Sequence, residues 1–161
     1  MSGPAQMWAE FREVPGIVQR QAEALSVPLA ALVHHLRQRR PSVIVTCARG
    51  SSANAAAFGK HLIENDLGIP VASIAPSTAS VYRKQLSLSG QLFLAISQSG
   101  QSDDLIESAV MARTAGALAA AIVNDVDSPL AAACDIVLPM GAAEGDFDEE
   151  IGWIGPRPRG S

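Results

Sequence analysis

The sequence predicts an α/β fold in three layers, α-β-α, with a five-stranded parallel sheet of the doubly wound flavodoxin or Rossmann type. Short apolar runs rich in β-branched residues alternate along the chain with longer segments of helical periodicity. The first run, Ser42–Cys47, suits a strand buried on both faces, as strands of parallel sheets are. The chain of 161 residues has the length of one ordinary domain.

The N-terminal segment, residues 1–41, carries helical periodicity interrupted by prolines. We predict a short helix over Met7–Val14, stopped by Pro15. A second helix is predicted over Gly16–Arg39, kinked or split at Pro28, because proline lacks an N–H and clashes with the preceding turn. We expect this segment to pack on the rest of the domain or on a partner.

The core of the domain is predicted to span residues 42–144. Its strands are predicted at Ser42–Cys47, Val71–Ile74, Gln91–Ile96, Leu118–Val123 and Ile136–Leu138. Its helices are predicted at Ala53–Asn65, Val81–Ser87, Asp103–Ala115 and after Ser128, which caps a short helix with Pro129 at its first position. Residues Pro76–Ser80 are expected to break the chain after the second strand.

The tail, residues 145–161, differs from the core in composition. It begins with an acidic run and ends in alternating proline and arginine, so we expect it to be poorly ordered. Ile151, Trp153 and Ile154 are exceptions, since they can dock on the domain or on a partner.

Composition, charge and local patterns argue against several kinds of partner and location. The net charge of −4 argues against a broad nucleic-acid surface, and no apolar stretch is long enough for a membrane helix. Cys47 and Cys134 lie in apolar runs and are interpreted as buried free thiols of a reducing compartment. With no leader pattern at the N-terminus, we expect a cytoplasmic protein. No Cys/His spacing indicates a metal site.

Two polar turns follow predicted strands and precede predicted helices. The first is Ala48–Ser52 and the second is Ser97–Ser102, and both contain serines and a glycine. Ligands of parallel sheets bind at the carboxyl ends of the strands, and helix N-termini with serine hydroxyls favour a phosphate. Gln98 can both donate and accept, which suits sugar hydroxyls. The alternative is that these serines only cap the helices that follow.

Neither turn has the sequence of a nucleotide-binding loop. The Gly-Lys-Ser/Thr ending of a P-loop is missing, and so is the GxGxxG pattern of dinucleotide-binding folds. ATP and dinucleotides are therefore disfavoured, and we expect no cofactor.

The second turn resembles the signature of the sugar isomerase (SIS) domain family. Ser97-Gln98-Ser99-Gly100-Gln101-Ser102, with Asp104 two residues later, is similar to the family pattern Ser-Gln-Ser-Gly-Glu-Thr-x-Asp. The first turn, Arg49-Gly50-Ser51-Ser52, resembles the family's Cys-Gly-Thr-Ser loop. Weaker matches, extending the resemblance over roughly residues 7–145, are Met7, Glu10, Glu13, Pro15, Tyr82-Arg83-Lys84, Asn124 and Ser128-Pro129-Leu130.

The resemblance implies a site for a phosphorylated hexose or amino hexose. Glucosamine 6-phosphate and fructose 6-phosphate are the expected ligands. The substrate-binding residues that it implies are Gly50, Ser51, Ser52, Ser97, Gln98, Ser99, Gly100 and Ser102, with Arg49 and Glu144 as further candidates. Ser97, Ser99 and Ser102 are expected to make the main phosphate contacts. Gln101, where the family usually has Glu, favours the deaminase and isomerase subgroup.

The resemblance also implies that catalysis needs more than these residues. Family enzymes place their catalytic Glu, His and Lys in a second SIS domain and at the C-terminus, so the catalytic residues of this chain are unknown. We expect half of a glucosamine-6-phosphate deaminase or isomerase, acting as a dimer or with a second SIS domain. The alternatives are a non-catalytic sugar-phosphate sensor and a rearranged half-domain whose tail drives self-association.

Overall fold

One five-stranded, fully parallel sheet organises the chain, in a computed structural model that describes residues 4–80 and 86–141. The strands are β1 (Ile44–Ala48), β2 (Val71–Ile74), β3 (Leu92–Ser97), β4 (Leu118–Val123) and β5 (Ile136–Pro139). Their order across the sheet is β2-β1-β3-β4-β5, the order of doubly wound flavodoxin-like folds. The predicted fold class is confirmed.

Five helices connect or precede these strands within the described residues. They are α1 (Pro4–Gln38), α2 (Ser52–Leu67), α3 (Ser77–Ser80), α4 (Asp103–Thr114) and α5 (Pro129–Ala133). Gly68 ends α2 in the left-handed conformation, with φ +62°, and its N–H donates to the Glu64 carbonyl.

The sheet is covered on both faces because alternate strand residues point to opposite sides. On one face, Val45 and Phe93 belong to the same buried cluster as Leu105 of α4 and Leu130 of α5. On the other face, a second buried cluster brings strand residues together with α1 and α2, and its members include Ile44, Leu92, Leu94, Leu32 and Ala56. Many of the buried strand residues are alanines, which lets the helices approach the sheet closely.

The N-terminal helix differs from the prediction, because α1 runs without interruption from Pro4 to Gln38. The expected stop at Pro15 and the expected break at Pro28 were both wrong. Proline costs a helix one hydrogen bond and causes a local distortion, about 3 kcal/mol, but its fixed φ is itself helical. Leu25, Leu32 and Leu36, on both sides of Pro28, pack against the same core cluster, and this shared burial holds the helix together.

The segment after β2 also differs from the prediction. Ser77–Ser80 forms α3, whereas a break was expected there. The helix predicted for Val81–Ser87 falls mostly on residues 81–85, which lie outside the described part of the chain, and Leu86 and Ser87 are not helical. The fixed φ of proline is compatible with the start of a helix, and Pro76 directly precedes α3 rather than ending an element.

No helix within the described residues is both long enough and apolar enough to cross a bilayer. Residues 142–161, including the predicted tail and Glu144, lie outside the described part of the chain.

Candidate functional site

The two serine-containing turns lie side by side at the carboxyl edge of the sheet. β1 and β3 are neighbours, and Ala48 at the end of β1 pairs with Ile96 near the end of β3. From β1 the chain passes to β2 on one side, whereas from β3 it passes to β4 on the other. The crevice between β1 and β3 is therefore the switch point at which ligands of such sheets bind.

The first turn is a tight connection between β1 and α2. Gly50 has φ +54°, a backbone conformation that side chains disfavour. The N–H groups of Ser52 and Ala53 donate to the carbonyls of Arg49 and Gly50, each at 3.1 Å. Ser51 is exposed and Ser52 is half-buried, so this turn presents its hydroxyls near the start of α2.

The second turn is shaped by its own serines. The buried Ser97 hydroxyl accepts a hydrogen bond from the Gly100 N–H at 3.1 Å, and the exposed Ser99 hydroxyl accepts from the Gln101 N–H at 3.4 Å. Each hydroxyl that accepts in this way keeps its own proton to donate elsewhere. The Gln98 carbonyl accepts from the Asn124 N–H at 3.1 Å, which ties the turn to the end of β4.

Gly100 is packed against α5 and against Ser128, the residue that directly precedes this helix. It has φ +65°, and a Cβ at this position would lie 2.2 Å from the Ser128 hydroxyl oxygen and 3.0 Å from a Val123 methyl carbon. The Gly100 carbonyl accepts from the Leu130 N–H at 3.1 Å. Only glycine fits here without displacing the residues behind the turn.

The capping alternative is tested by comparing three helix starts. Ser128 accepts a hydrogen bond from the Ala131 N–H, as a capping serine does. Ser51 and Ser102 occupy the same position at the starts of α2 and α4, but neither side chain makes a capping hydrogen bond. Capping therefore accounts for Ser128 and leaves the hydroxyls of Ser51 and Ser102 without that structural role.

An ion pair joins the first turn to the start of α4, which follows the second turn. Arg49 Nη1 lies 2.8 Å from Asp104 Oδ2, and the two side chains are 60% and 22% exposed. Arg49 was a candidate ligand contact, and the structure pairs it with the first turn of α4. The partners are 55 positions apart in the sequence, so no local pattern indicated the pairing.

Two buried acceptor atoms near these turns have no hydrogen-bond partner among the described residues. They are Oδ1 of Asp104 and Oδ1 of Asn124. Buried polar atoms are almost always satisfied in proteins, so orphaned acceptors at this edge of the sheet indicate places for a ligand donor or water. Neither residue was among the predicted contacts, although Asn124 directly follows β4 at the same edge of the sheet.

The described residues offer no evident acid–base pair at the turns. His34 and His35 lie on α1, where His34 contacts Gln38, and His61 is exposed on α2. Glu64 accepts a hydrogen bond from the Val71 N–H at 3.0 Å, which gives it a structural role. The described part of the chain also has no cluster of three or more His, Cys, Asp or Glu side chains that could hold a metal ion.

The two cysteines are free thiols. Burial raises the pKa of the Cys47 thiol to about 11, against a weaker opposing effect of its hydrogen bond with Ser108. Burial likewise raises the pKa of Cys134 to about 11. Neither is poised as a thiolate nucleophile.

An apolar groove of about 400 Å³ opens beside the carboxyl ends of the central strands, between α2 and the sheet. Its lining includes Leu62 and Ile63 of α2, Ile96 of β3 and Met140 after β5. Phe58 and Leu62 of α2 are 65% and 44% exposed. A clustered exposed apolar surface of this kind is typical of a contact with further polypeptide.

Comparison with known proteins shows to which family the chain belongs. A family model described as the SIS domain matches residues 35–149. An isomerizing glutamine–fructose-6-phosphate aminotransferase of Symbiobacterium thermophilum is 38% identical over 103 residues, which cover 64% of this chain and 16% of that enzyme.

Two solved structures extend the comparison. A protein of Silicibacter pomeroyi named as a phosphosugar isomerase superposes with a TM-score of 0.78 at 41% identity, over 81% of this chain and 40% of that one. The C-terminal domain of glucosamine-fructose-6-phosphate aminotransferase from Francisella tularensis gives a TM-score of 0.60 at 26% identity, over 77% and 38% of the two chains.

The chain thus spans less than half of each of these relatives. The residues matched by the family model contain both serine turns. The sheet order, the turn sequences and the family match agree with one another. The chain belongs to the SIS domain family.

Proposed function

We propose that the chain binds a phosphorylated hexose or amino hexose in the crevice between β1 and β3. The observation that carries this proposal is the convergence of the two serine turns at adjacent strand ends. Each turn leads into a helix, and the unpaired N–H groups and dipole of a helix N-terminus favour an anion.

The phosphoryl group is proposed to lie against the second turn. The hydroxyls of Ser97 and Ser99 accept hydrogen bonds from within the turn, so their protons are left to donate to phosphate oxygens. Ser102 makes no capping bond and is the third proposed donor. Ser51 and Ser52, together with the backbone at Gly50, would contact the ligand from the first turn.

The sugar is proposed to occupy the space between the turns and the end of β4. The orphaned Oδ1 oxygen of Asn124 is an acceptor, and it suits the hydroxyl or ammonium donors of an amino sugar. Gln98 adds an amide that both donates and accepts. Because relatives are named for fructose 6-phosphate and glucosamine, we propose fructose 6-phosphate and glucosamine 6-phosphate as the ligands to test first.

The reaction proposed for the complete assembly is aldose–ketose isomerisation, with or without deamination. Such chemistry moves protons between neighbouring carbons and needs general bases. The described residues supply none at the turns, so we expect this chain alone to bind its ligand with little or no turnover. Glu144 remains a candidate contact outside the described residues.

A covering partner is proposed for the groove beside α2, either a second SIS domain or a second copy of this chain. The exposed apolar side chains of Phe58 and Leu62 support this proposal, since water contact there is unfavourable. A homodimer should appear in light scattering, and deleting residues 146–161 tests whether the tail drives association. Free thiols, which persist in reducing compartments, support a cytoplasmic location.

The deciding experiment is calorimetric titration of the chain with glucosamine 6-phosphate and fructose 6-phosphate, with glucosamine as the unphosphorylated control. Saturable binding of the phosphorylated sugars alone is the expected result. Binding that gives no turnover even when a second SIS domain is added would favour the sensor alternative. Robust turnover by the isolated chain would refute the claim that it lacks its own catalytic base.

A further inference from the structure

The amino end of α4 carries an electrostatic conflict for an anionic ligand. Asp103 and Asp104 are the first two residues of the helix, directly after the turn proposed to hold the phosphate. Each carboxylate repels a phosphate dianion, whereas the helix dipole contributes only about half a positive charge at this end. The serine donors alone are neutral. The site therefore needs a positive charge from elsewhere.

Arg49 supplies that charge from the neighbouring turn. Its Nη1 lies 2.8 Å from Asp104 Oδ2, close enough for a charge-assisted hydrogen bond. The Asp104 side chain is only 22% exposed, and its other oxygen is buried without a partner among the described residues. An ion pair with one partly buried member is screened by water and salt less than a pair on the open surface.

We propose that Arg49 is a positioning residue for phosphate selectivity, because it cancels the charge of Asp104 and so lets the second turn accept a phosphoryl group. This rests on the proposed binding of sugar phosphates at the serine turns. In this arrangement Arg49 acts through Asp104 and stays paired with it when the ligand binds. Without Arg49, the site should lose affinity for phosphorylated sugars while its preference for the sugar ring is unchanged.

The test is calorimetry of the full chain with glucosamine 6-phosphate. Arg49→Ala should weaken binding about tenfold, which corresponds to roughly 1.4 kcal/mol. Adding Asp104→Asn to that variant should restore the affinity, because the carboxylate that Arg49 neutralises is then gone. Arg49→Lys, which keeps the charge, should retain most of the affinity.

Two matched controls separate this role from net charge and from stability. Arg113→Ala also removes one arginine from an ion pair, with Asp135 at 2.9 Å, but at the amino edge of the sheet, and it should leave binding unchanged. Adding Asp103→Asn to Arg49→Ala gives the same net charge as the rescued variant, but Asp103 is exposed and its charge is screened by water and salt, so it should restore much less affinity. Thermal unfolding of each variant shows whether it is folded.

Three results would overturn the proposal. Unchanged binding by Arg49→Ala would show that the pair is an ordinary surface contact. Weakened binding that Asp104→Asn does not restore would show that Arg49 contacts the ligand itself. Equal rescue by Asp103→Asn would leave net charge as the whole effect. The proposed function fails separately, if the wild-type chain does not bind or if Ser97→Ala with Ser99→Ala binds as tightly as wild type.

Discussion

Replacing both Ser97 and Ser99 by alanine should abolish most of the affinity for phosphorylated sugars. Both hydroxyls accept hydrogen bonds within the turn, at 3.1 and 3.4 Å, and are proposed to donate to phosphate oxygens. A hydrogen bond to a charged group contributes about 1.5–3 kcal/mol, so losing two costs about 3–6 kcal/mol. At tenfold for each 1.4 kcal/mol, affinity should fall by about two to four orders of magnitude.

The two serines should differ in their effect on stability. Ser97 is 6% exposed, and its removal leaves the buried Gly100 N–H without its acceptor, at a cost of about 1–3 kcal/mol in the free energy of unfolding. Ser99 is exposed, and its alanine variant should unfold close to wild type. Ser99→Ala alone therefore tests binding without a stability penalty.

The assay is calorimetric titration with glucosamine 6-phosphate, with thermal unfolding measured on the same samples. Ser42→Ala is the matched control, because its hydroxyl lies before β1 at the opposite edge of the sheet, 3.1 Å from Gln91 Oε1. The Ser42→Ala variant should bind glucosamine 6-phosphate with wild-type affinity. If a folded Ser97→Ala, Ser99→Ala variant keeps wild-type affinity, the assignment of the phosphate to this turn is wrong.

Three further predictions concern stability and reactivity. Gly100→Ala should lower the free energy of unfolding, measured in urea, by about 2–5 kcal/mol, because the new methyl group is both strained and overpacked. Gly50→Ala should lower it by only about 1–2 kcal/mol, because no atom lies within 4 Å of the new methyl group. Similar losses in both would contradict the close packing at Gly100. Ser128→Ala should lower the free energy of unfolding by about 1 kcal/mol, because the helix cap is lost. Ser102→Ala should lower it by under about 0.5 kcal/mol but should weaken ligand binding. The Cys47 thiol, with its pKa raised to about 11, should stay protonated at pH 8 and react slowly with a thiol-specific disulfide reagent. The contribution of the buried thiol to stability should be full below pH 9.0 and lost as the pH rises through 11. Rapid labelling of the native chain would contradict the burial of Cys47.

The pattern of apolar and polar residues along the chain was enough to predict the strands, because buried parallel strands are short apolar runs bounded by polar turns. Val71–Ile74 and Leu118–Val123 were predicted with the bounds that the structure has. Pro15 and Pro28 misled the prediction of α1, because a sequence shows the hydrogen bond that proline loses but not the tertiary packing that keeps a helix continuous.

The two turns of the candidate site could be located from the sequence, but the contacts between them and their surroundings could not. The serines and Gly100 stand out because their types and spacing match a phosphate-binding turn at a strand end. The pairing of Arg49 with Asp104 depends on β1 and β3 being neighbours, which only the strand order reveals. The orphaned oxygens of Asp104 and Asn124 likewise depend on burial, which no local pattern encodes.

The second turn is held in shape by contacts within its own chain. Its backbone bonds to Ser97, to Ser99, to the end of β4 and to the start of α5 are all made by the chain itself. The conformational entropy of ordering this loop is therefore spent during folding rather than during association. A sugar phosphate meeting such a preorganised loop should bind with a small entropic penalty. We therefore expect residues behind the loop that contact Gly100, such as Ser128 and Leu130, to influence affinity without touching the ligand.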